Sequence, residues 1–164
     1  VQIILTGKAH PQDQLGKGLL QQMWQSLNND RFRHKVVLIP GYNWQLARRM
    51  VSGADIWLNT PYRYEEASGT SGMKAAANGV LQFTTLDGWT DEVDWTDKGW
   101  VISEEDPAHS LYDTLEKQIA PAFYDQKDWV IRMKRTMLAV IYNYSTQRML
   151  SEYMQKIYLP LIKP

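Results

Sequence analysis

The sequence predicts an α/β fold in which a parallel β-sheet is flanked by helices. Two observations support this fold class. Short apolar runs alternate with helical segments in the order βαβαβ, and the runs are apolar at consecutive positions, as expected of strands buried on both faces. Strands of this kind form parallel sheets with right-handed crossovers, and these sheets bind ligands at the carboxyl ends of their strands.

The first half of the chain supplies three of the predicted strands and two of the helices. Apolar, largely β-branched runs place the strands at residues 1–5, 35–40 and 54–58. The longer helix, at about residues 13–28, has its apolar side chains at intervals of three and four, which is the period of an amphipathic helix. A shorter helix is predicted at residues 44–51.

The second half continues the alternation and then becomes helical. An alanine-rich helix is predicted from Met73 to Asn78 and strands at residues 80–85 and 99–102, followed by helices over about residues 106–160. Asp106 followed by Pro107 is a typical helix start, with a capping carboxylate and a proline in the first turn. Later helices are predicted to start at Asp125 or Asp128 and at Ser145.

Composition excludes several classes of function. The 164 residues suffice for one domain, and 18 basic and 18 acidic side chains give a formal net charge of zero, so neither nucleic acid nor a membrane surface is expected as a partner. The chain has no cysteine, which excludes disulfides and thiolate chemistry. Its three histidines are far apart in sequence, so no metal site is expected.

The segment from Glu66 to Lys74 carries the chemistry that a ligand site needs. It combines a carboxylate, three hydroxyl side chains, two glycines and a lysine, and it leads into the helix predicted at Met73. Backbone N–H groups at such a helix start can bind an anion, and Lys74 is predicted to lie in the first helical turn. Alternatively, the cluster is an ordinary turn and Lys74 a solvated helix lysine.

Two other features have structural and functional interpretations. Asp87-Gly88 is typical of a turn, and the acidic residues that follow it are typical of a solvated surface. The seven tryptophans and nine tyrosines suit a sugar-stacking site. For Trp24, Trp44 and Trp129, which lie in predicted helices, packing in the core is the favoured interpretation.

The Glu66–Lys74 motif resembles the pyridoxal-phosphate loop of the glycogen and α-glucan phosphorylases, glycosyltransferase family 35. The sequence Gly-Thr-Ser-Gly-Met-Lys, together with residues 57–61 before it and Asp87-Gly88-Trp89 after it, is more similar to the bacterial α-glucan phosphorylases than to the animal glycogen phosphorylases. Further matching pieces occur in the family's order, at residues 7–11, 40–43 and 144–149. The resemblance therefore extends over nearly the whole chain.

The resemblance implies a cofactor, a reaction and roles for individual residues. The implied reaction transfers glucosyl units from α-1,4-glucan to inorganic phosphate and releases glucose 1-phosphate with retention of configuration. Lys74 would anchor pyridoxal 5′-phosphate as a Schiff base, and the cofactor's own phosphate would exchange a proton with the substrate phosphate. The residues implied to bind the cofactor besides Lys74 are Tyr42, Gly69, Thr70, Ser71 and Gly72. Those implied to line the glucose are Glu66, Ala67, Ser68 and Gly69.

The resemblance also implies that residues 1–164 are part of a larger enzyme. Phosphorylases have the two-domain GT-B architecture, and this chain resembles most of the C-terminal Rossmann-like domain without its first strand and helix. The family's lysine- and arginine-rich segment before residue 7 has no counterpart, and Asn43 replaces an arginine of the animal enzymes. We therefore expect the chain alone to be inactive, to need a missing N-terminal domain, and to belong to a cytoplasmic, bacterial enzyme.

Two other functions fit parts of the sequence. A GT-B nucleotide-sugar glucosyltransferase such as glycogen synthase would share the fold and a glutamate-containing sugar loop, without needing Lys74. A non-catalytic glucan-binding module would use the tryptophans and would not depend on Glu66 or Lys74.

Overall fold

The computed structural model describes residues 1–162 and divides into two compact units, Val1–Arg48 and the residues from Arg49 onward. The strands are β1 (Ile3–Thr6), β2 (Val36–Ile39), β3 (Ile56–Asn59), β4 (Leu81–Thr84) and β5 (Gly99–Val101). The α-helices are α1 (Gln14–Leu27), α2 (Trp44–Gly53), α3 (Thr70–Ala77), α4 (Pro107–Thr114), α5 (Ala120–Tyr124), α6 (Gln126–Asn143), α7 (Thr146–Tyr153) and α8 (Leu159–Ile162).

The first unit is a βαβ motif. β1 and β2 pair in parallel, with Ile3 opposite Val36, and α1 connects them. The carboxylate of Asp13 caps α1 by accepting a hydrogen bond from the Gly16 N–H at 2.8 Å, which satisfies one of the free donors of the first turn. The predicted strand–helix–strand order is confirmed for this unit.

The core positions predicted for two tryptophans are wrong. Trp24 is 53% exposed and Trp44 is 85% exposed, whereas Trp129 is 5% exposed and is buried as predicted. Trp24 lies beside the shallow groove between α1 and β2. Trp44 is the first residue of α2, where the helix has no preceding turn against which the ring could pack. Helical periodicity alone therefore did not identify the buried positions.

The second unit is built on a parallel sheet in the order β3-β4-β5. All four residues of the central strand β4 are buried, as expected of a parallel strand covered on both faces. The predicted parallel pairing is confirmed, although the described strands form a two-stranded and a three-stranded sheet where the sequence predicted one.

Successive residues of β4 point to opposite faces of the sheet, and each face has its own cluster of side chains. Leu81 and Phe83 belong to a cluster that also contains Trp100, Ile102, Ile119 and Trp129. On the face covered by α3, the side-chain oxygen of Gln82 approaches Gly72. A second cluster joins α3 to α6 and contains Ala76, Trp89, Trp95 and Val140.

The C-terminal helices begin where the sequence predicts. Asp106 and Ser145 accept hydrogen bonds from the N–H groups of His109 and Arg148, and Asp125, one of the two predicted alternatives, caps α6. Two single turns of π-helix, Leu115–Ile119 and Met154–Tyr158, each end two residues before a proline. Proline lacks an N–H and its ring clashes with the carbonyl four residues earlier, so a wider turn accommodates it.

Replacing Leu81 by alanine should destabilise the second unit strongly. Leu81 is fully buried in the sheet cluster, and removing its side chain there should cost about 2–5 kcal/mol in the free energy of unfolding. Chemical denaturation would measure this loss. The matched control is Leu138→Ala on α6, where the side chain is 54% exposed, and an equal loss in the two variants would contradict this assignment of the core.

Candidate functional site

Helix α3 begins earlier than the sequence predicts. Its first residue is Thr70 and not Met73, and Gly69 precedes it in the left-handed conformation, with φ of 80°. Lys74 consequently lies in the second turn of the helix, so the prediction of a first-turn lysine is wrong. The first residues of an α-helix have N–H groups without partners inside the helix, and in α3 these residues include Thr70 and Ser71.

The two faces of α3 have different environments. Gly72, Ala75 and Ala76 are buried, whereas Thr70 and Lys74 are exposed. Thr70 and Lys74 are four residues apart and so lie on one side of the helix, and helical side chains lean toward the N-terminus. The Lys74 amine can therefore reach a ligand whose anionic group lies at the start of α3. This donor set fits a phosphate-bearing aldehyde cofactor such as pyridoxal phosphate.

Gly72 has a packing role as well as its predicted cofactor role. A Cβ at this position would lie 3.0 Å from Gln82 Oε1 and 3.2 Å from Trp89 Nε1, so any larger residue would have to displace these buried side chains. The Gly72 N–H donates to the Gly69 carbonyl at 3.1 Å. Thr70 and Ser71 are therefore better placed than Gly72 to offer N–H groups to a phosphate.

The loop before α3 is attached to the end of β4 through the carboxylate of Asp87. This side chain accepts hydrogen bonds from the N–H groups of Tyr64, Glu65 and Glu66, at 3.0, 3.1 and 2.7 Å. Tyr64 has a positive φ of 69°, which is rare for a residue with a side chain. Successive N–H groups near such a residue form a concave anion site, called a nest, and here Asp87 occupies it.

The electrostatics of Asp87 follow from these contacts. The pKa of Asp87 lies below its ordinary value of 3.8, chiefly because the Glu66 N–H donates to the ionised carboxylate, with Gly88, Tyr64 and Glu65 contributing further hydrogen bonds. Asp87 is only 6% exposed. The sequence prediction of a simple Asp-Gly turn missed this function. The available signal was an aspartate close to the carboxyl end of a buried strand, three residues after β4 ends.

Two backbone contacts fix the centre of the loop. The Trp89 N–H donates to the Ser68 carbonyl at 3.1 Å. Gly88 has φ of 54°, and a Cβ there would lie 2.9 Å from the Ser68 carbonyl oxygen and 3.0 Å from that of Glu66. Glycine is therefore required at residue 88 both by the backbone conformation and by the closeness of the loop.

Arg63 attaches the start of the loop to neighbouring segments. Its guanidinium pairs with Asp91 at 2.9 Å and with Glu104 at 3.1 Å, and it also donates to the Leu86 carbonyl at 3.3 Å. Asp91, interpreted from sequence as part of a solvated acidic surface, is partly exposed but paired. These contacts and those of Asp87 together hold the segment that carries Glu66.

The predicted glucose-lining residues differ in exposure. Glu66, Ser68 and Gly69 are half-buried, whereas Ala67 is exposed. These residues and the first turns of α3 are contiguous and belong to the second unit. Tyr42, by contrast, belongs to the first unit and is 41% exposed, so its contact with the cofactor stays a prediction. The neighbouring Asn43 caps α2 by accepting the Leu46 N–H at 2.9 Å.

Within residues 1–162, no three side chains of the histidine, cysteine, aspartate or glutamate type are grouped so that they could hold a metal ion. No helix there combines the length and the apolar character that crossing a bilayer would require.

Comparison with known proteins identifies the family. A family model described as carbohydrate phosphorylase matches residues 1–98, which is more than half of the chain. The chain belongs to this family. Among the phosphorylases it resembles, the maltodextrin phosphorylase of Thermococcus litoralis is 40% identical over 96% of this chain, and the glycogen phosphorylase of Mycobacterium bovis is 37% identical over 98%. In both, the match spans only 20% of the relative's length.

A solved structure supports the fold of this phosphorylase segment. A sucrose-phosphate synthase from Thermosynechococcus elongatus superimposes with a TM-score of 0.69 over 98% of this chain and 38% of its own chain. Its sequence identity is 16%, so the likeness shows the fold alone. The predicted fold class, an α/β fold with parallel strands flanked by helices, is confirmed.

Gly88→Ala should destabilise the second unit and displace the loop. The left-handed conformation alone should cost about 1–2 kcal/mol for a residue with a Cβ, and the contact with the Ser68 carbonyl adds to this. The control is Gly18→Ala within α1, where a Cβ has no neighbour within 4 Å and should stabilise the helix by about 0.5–1 kcal/mol. Denaturant unfolding would measure the stability of both variants. If both were less stable than the wild type, or both more stable, the expected opposite effects would be contradicted.

Asp87→Asn should change how stability depends on pH. Since the pKa of Asp87 is lowered by folding, its contribution is complete above the ordinary value of 3.8 and is lost as the pH falls through the lower folded-state value. The variant should thus be less stable than the wild type at neutral pH, and the gap should narrow in strong acid. Denaturation midpoints of both proteins, measured from neutral pH down to strong acid, would show this narrowing. A difference in stability that did not change with pH would contradict the prediction.

Proposed function

We propose that the full-length protein containing this chain is an α-glucan phosphorylase that uses pyridoxal 5′-phosphate. It would transfer glucosyl units from α-1,4-glucan to inorganic phosphate, giving glucose 1-phosphate with retention of configuration. The observation that carries this proposal is the position of Lys74, which is exposed on the same side of α3 as the free N–H groups at the helix start. Membership of the carbohydrate phosphorylase family supports it.

The residues of α3 would hold the cofactor. Thr70 and Ser71 would donate N–H groups to its phosphate, where the positive end of the helix dipole favours negative charge. Lys74 would anchor the cofactor covalently through Nζ, and Gly69 would allow close approach because it has no side chain. When bound, pyridoxal phosphate supplies a phosphate group that can exchange a proton with the substrate phosphate. Tyr42 would pack near the cofactor in the assembled enzyme.

The loop before α3 would bind the glucosyl unit. The Glu66 carboxylate can accept hydrogen bonds from two sugar hydroxyls, and Ser68 can add a hydroxyl donor or acceptor. Ala67 and Gly69 would line the same site. Because the loop is attached to buried strand β4 through Asp87, these groups would be oriented before the sugar arrives, which reduces the entropic cost of binding.

The chain alone would be inactive. It spans 20% of the length of its phosphorylase relatives, and the remaining parts of a GT-B enzyme, including an N-terminal domain, would complete the site and bind the glucan. We further propose that the enzyme is bacterial and acts in the cytoplasm, where glucan and phosphate are both available.

The test is the cofactor absorbance of the full-length protein. The purified wild type should show the visible band of bound pyridoxal phosphate and should form glucose 1-phosphate from glucan and phosphate. Lys74→Ala should abolish the band and the activity, because no other group in α3 can attach the cofactor. The control is Lys134→Ala, an exposed lysine on α6, which should leave both unchanged.

Two results would contradict the proposed function. One is a full-length protein that transfers glucose from UDP- or ADP-glucose and binds no pyridoxal phosphate. The other is a Lys74→Ala variant that retains the cofactor band.

A further inference from the structure

We propose that Asp87 is a positioning residue for glucosyl binding. It would hold the Glu66–Gly69 segment, here called the sugar loop, in the geometry that binds the sugar, without contacting substrate itself. This inference rests on the proposed function, because it concerns the same site. It assigns a role to a carboxylate that the motif at residues 66–74 does not include.

The hydrogen bonds of Asp87 leave it no capacity for substrate. Oδ1 accepts the N–H groups of Tyr64 at 3.0 Å and Gly88 at 2.9 Å, and Oδ2 accepts those of Glu65 at 3.1 Å and Glu66 at 2.7 Å. A carboxylate has about four lone-pair positions, so four N–H donors occupy them. Since the side chain is also 6% exposed, Asp87 is unsuited to act as a general base.

Asp87 is itself fixed to the end of the central strand. Its N–H donates to Thr90 Oγ1 at 3.0 Å, and the Thr90 hydroxyl lies 3.1 Å from the Thr85 carbonyl and 2.8 Å from that of Asp87. Thr90 is 1% exposed, and the fully buried strand β4 ends at Thr84. The carboxylate therefore transmits the position of a rigid strand to the backbone of Glu66.

The start of the sugar loop and the cofactor helix are supported by different contacts. Asp87 holds residues 64–66, whereas the Trp89 N–H holds the later part of the loop at Ser68, and the buried face of α3 packs against Gln82 and Trp89. Loss of the Asp87 carboxylate should therefore displace Glu66 while Lys74 keeps its place. This separation distinguishes a positioning role from a general loss of folding.

Asp87→Asn in the full-length enzyme tests the proposal. Asparagine keeps the size of the side chain, but its NH₂ group faces two N–H donors and can accept from neither. The value of kcat/KM for glucose 1-phosphate should fall by up to about 10²-fold, as expected when a binding group shifts by about 1 Å. The cofactor absorbance should stay unchanged, and hydrogen exchange should accelerate at the amides of Tyr64, Glu65 and Glu66.

Asp94→Asn is the matched control. Asp94 lies seven residues after Asp87, and its carboxylate accepts the Thr96 N–H at 2.9 Å. Like that of Asp87, the pKa of Asp94 lies below its ordinary value, chiefly because of this hydrogen bond. Within residues 1–162, the Asp94 carboxylate contacts Thr96 and Lys98, neither of which belongs to the sugar loop. This variant should keep wild-type kcat/KM and wild-type exchange at residues 64–66.

Three outcomes would overturn the positioning role. The first is unchanged hydrogen exchange at residues 64–66 in Asp87→Asn. The second is accelerated exchange at these residues in a variant that keeps wild-type kcat/KM. The third is a variant that loses the cofactor absorbance together with its activity. A wild-type protein that lacks both the band and glucose 1-phosphate formation would instead refute the proposed function, and the positioning role with it. The wild-type measurement therefore separates failure of the function from failure of the positioning role.

Discussion

The carboxylate of Asp87 is the contact on which the geometry of the candidate site depends. Three of its hydrogen bonds come from consecutive residues of the loop after β3, and the fourth comes from Gly88 in the segment that follows β4. A charged acceptor that is buried and fully hydrogen-bonded is strongly held, since any displacement leaves charge without partners. The start of the loop, including Glu66, is thereby fixed relative to the buried centre of the sheet.

Helix α3 combines two functions on opposite sides. Its buried side consists of glycine and alanine, which let the helix lie close to the sheet and to Trp89, and its exposed side carries Thr70 and Lys74. Close packing fixes the helix axis and therefore the direction in which the free N–H groups point. The same short segment thus provides both the support and the ligand-binding groups of the proposed cofactor site.

Local signals predicted much of this structure. The caps at Asp106 and Ser145 were correct because capping depends on residues within one turn. The start of α3 was missed because glycine, serine and threonine have weak helix propensity, which favours a loop at residues 69–72. In the structure, the packing of Gly72 against Gln82 and Trp89 outweighs that weak propensity. The role of Asp87 was missed because its loop partners lie 21 to 23 residues away in sequence.

The way in which Asp87 holds the loop determines which substitutions residues 64–66 can accept. Its partners are main-chain N–H groups, which every amino acid except proline supplies. The side chain of Glu65 can therefore change without loss of these hydrogen bonds, whereas the positive φ of Tyr64 restricts the choice of residue there. Such an arrangement separates variation in the side chains of the loop from the geometry of its backbone, and the hydrogen bonds themselves exclude proline from all three positions.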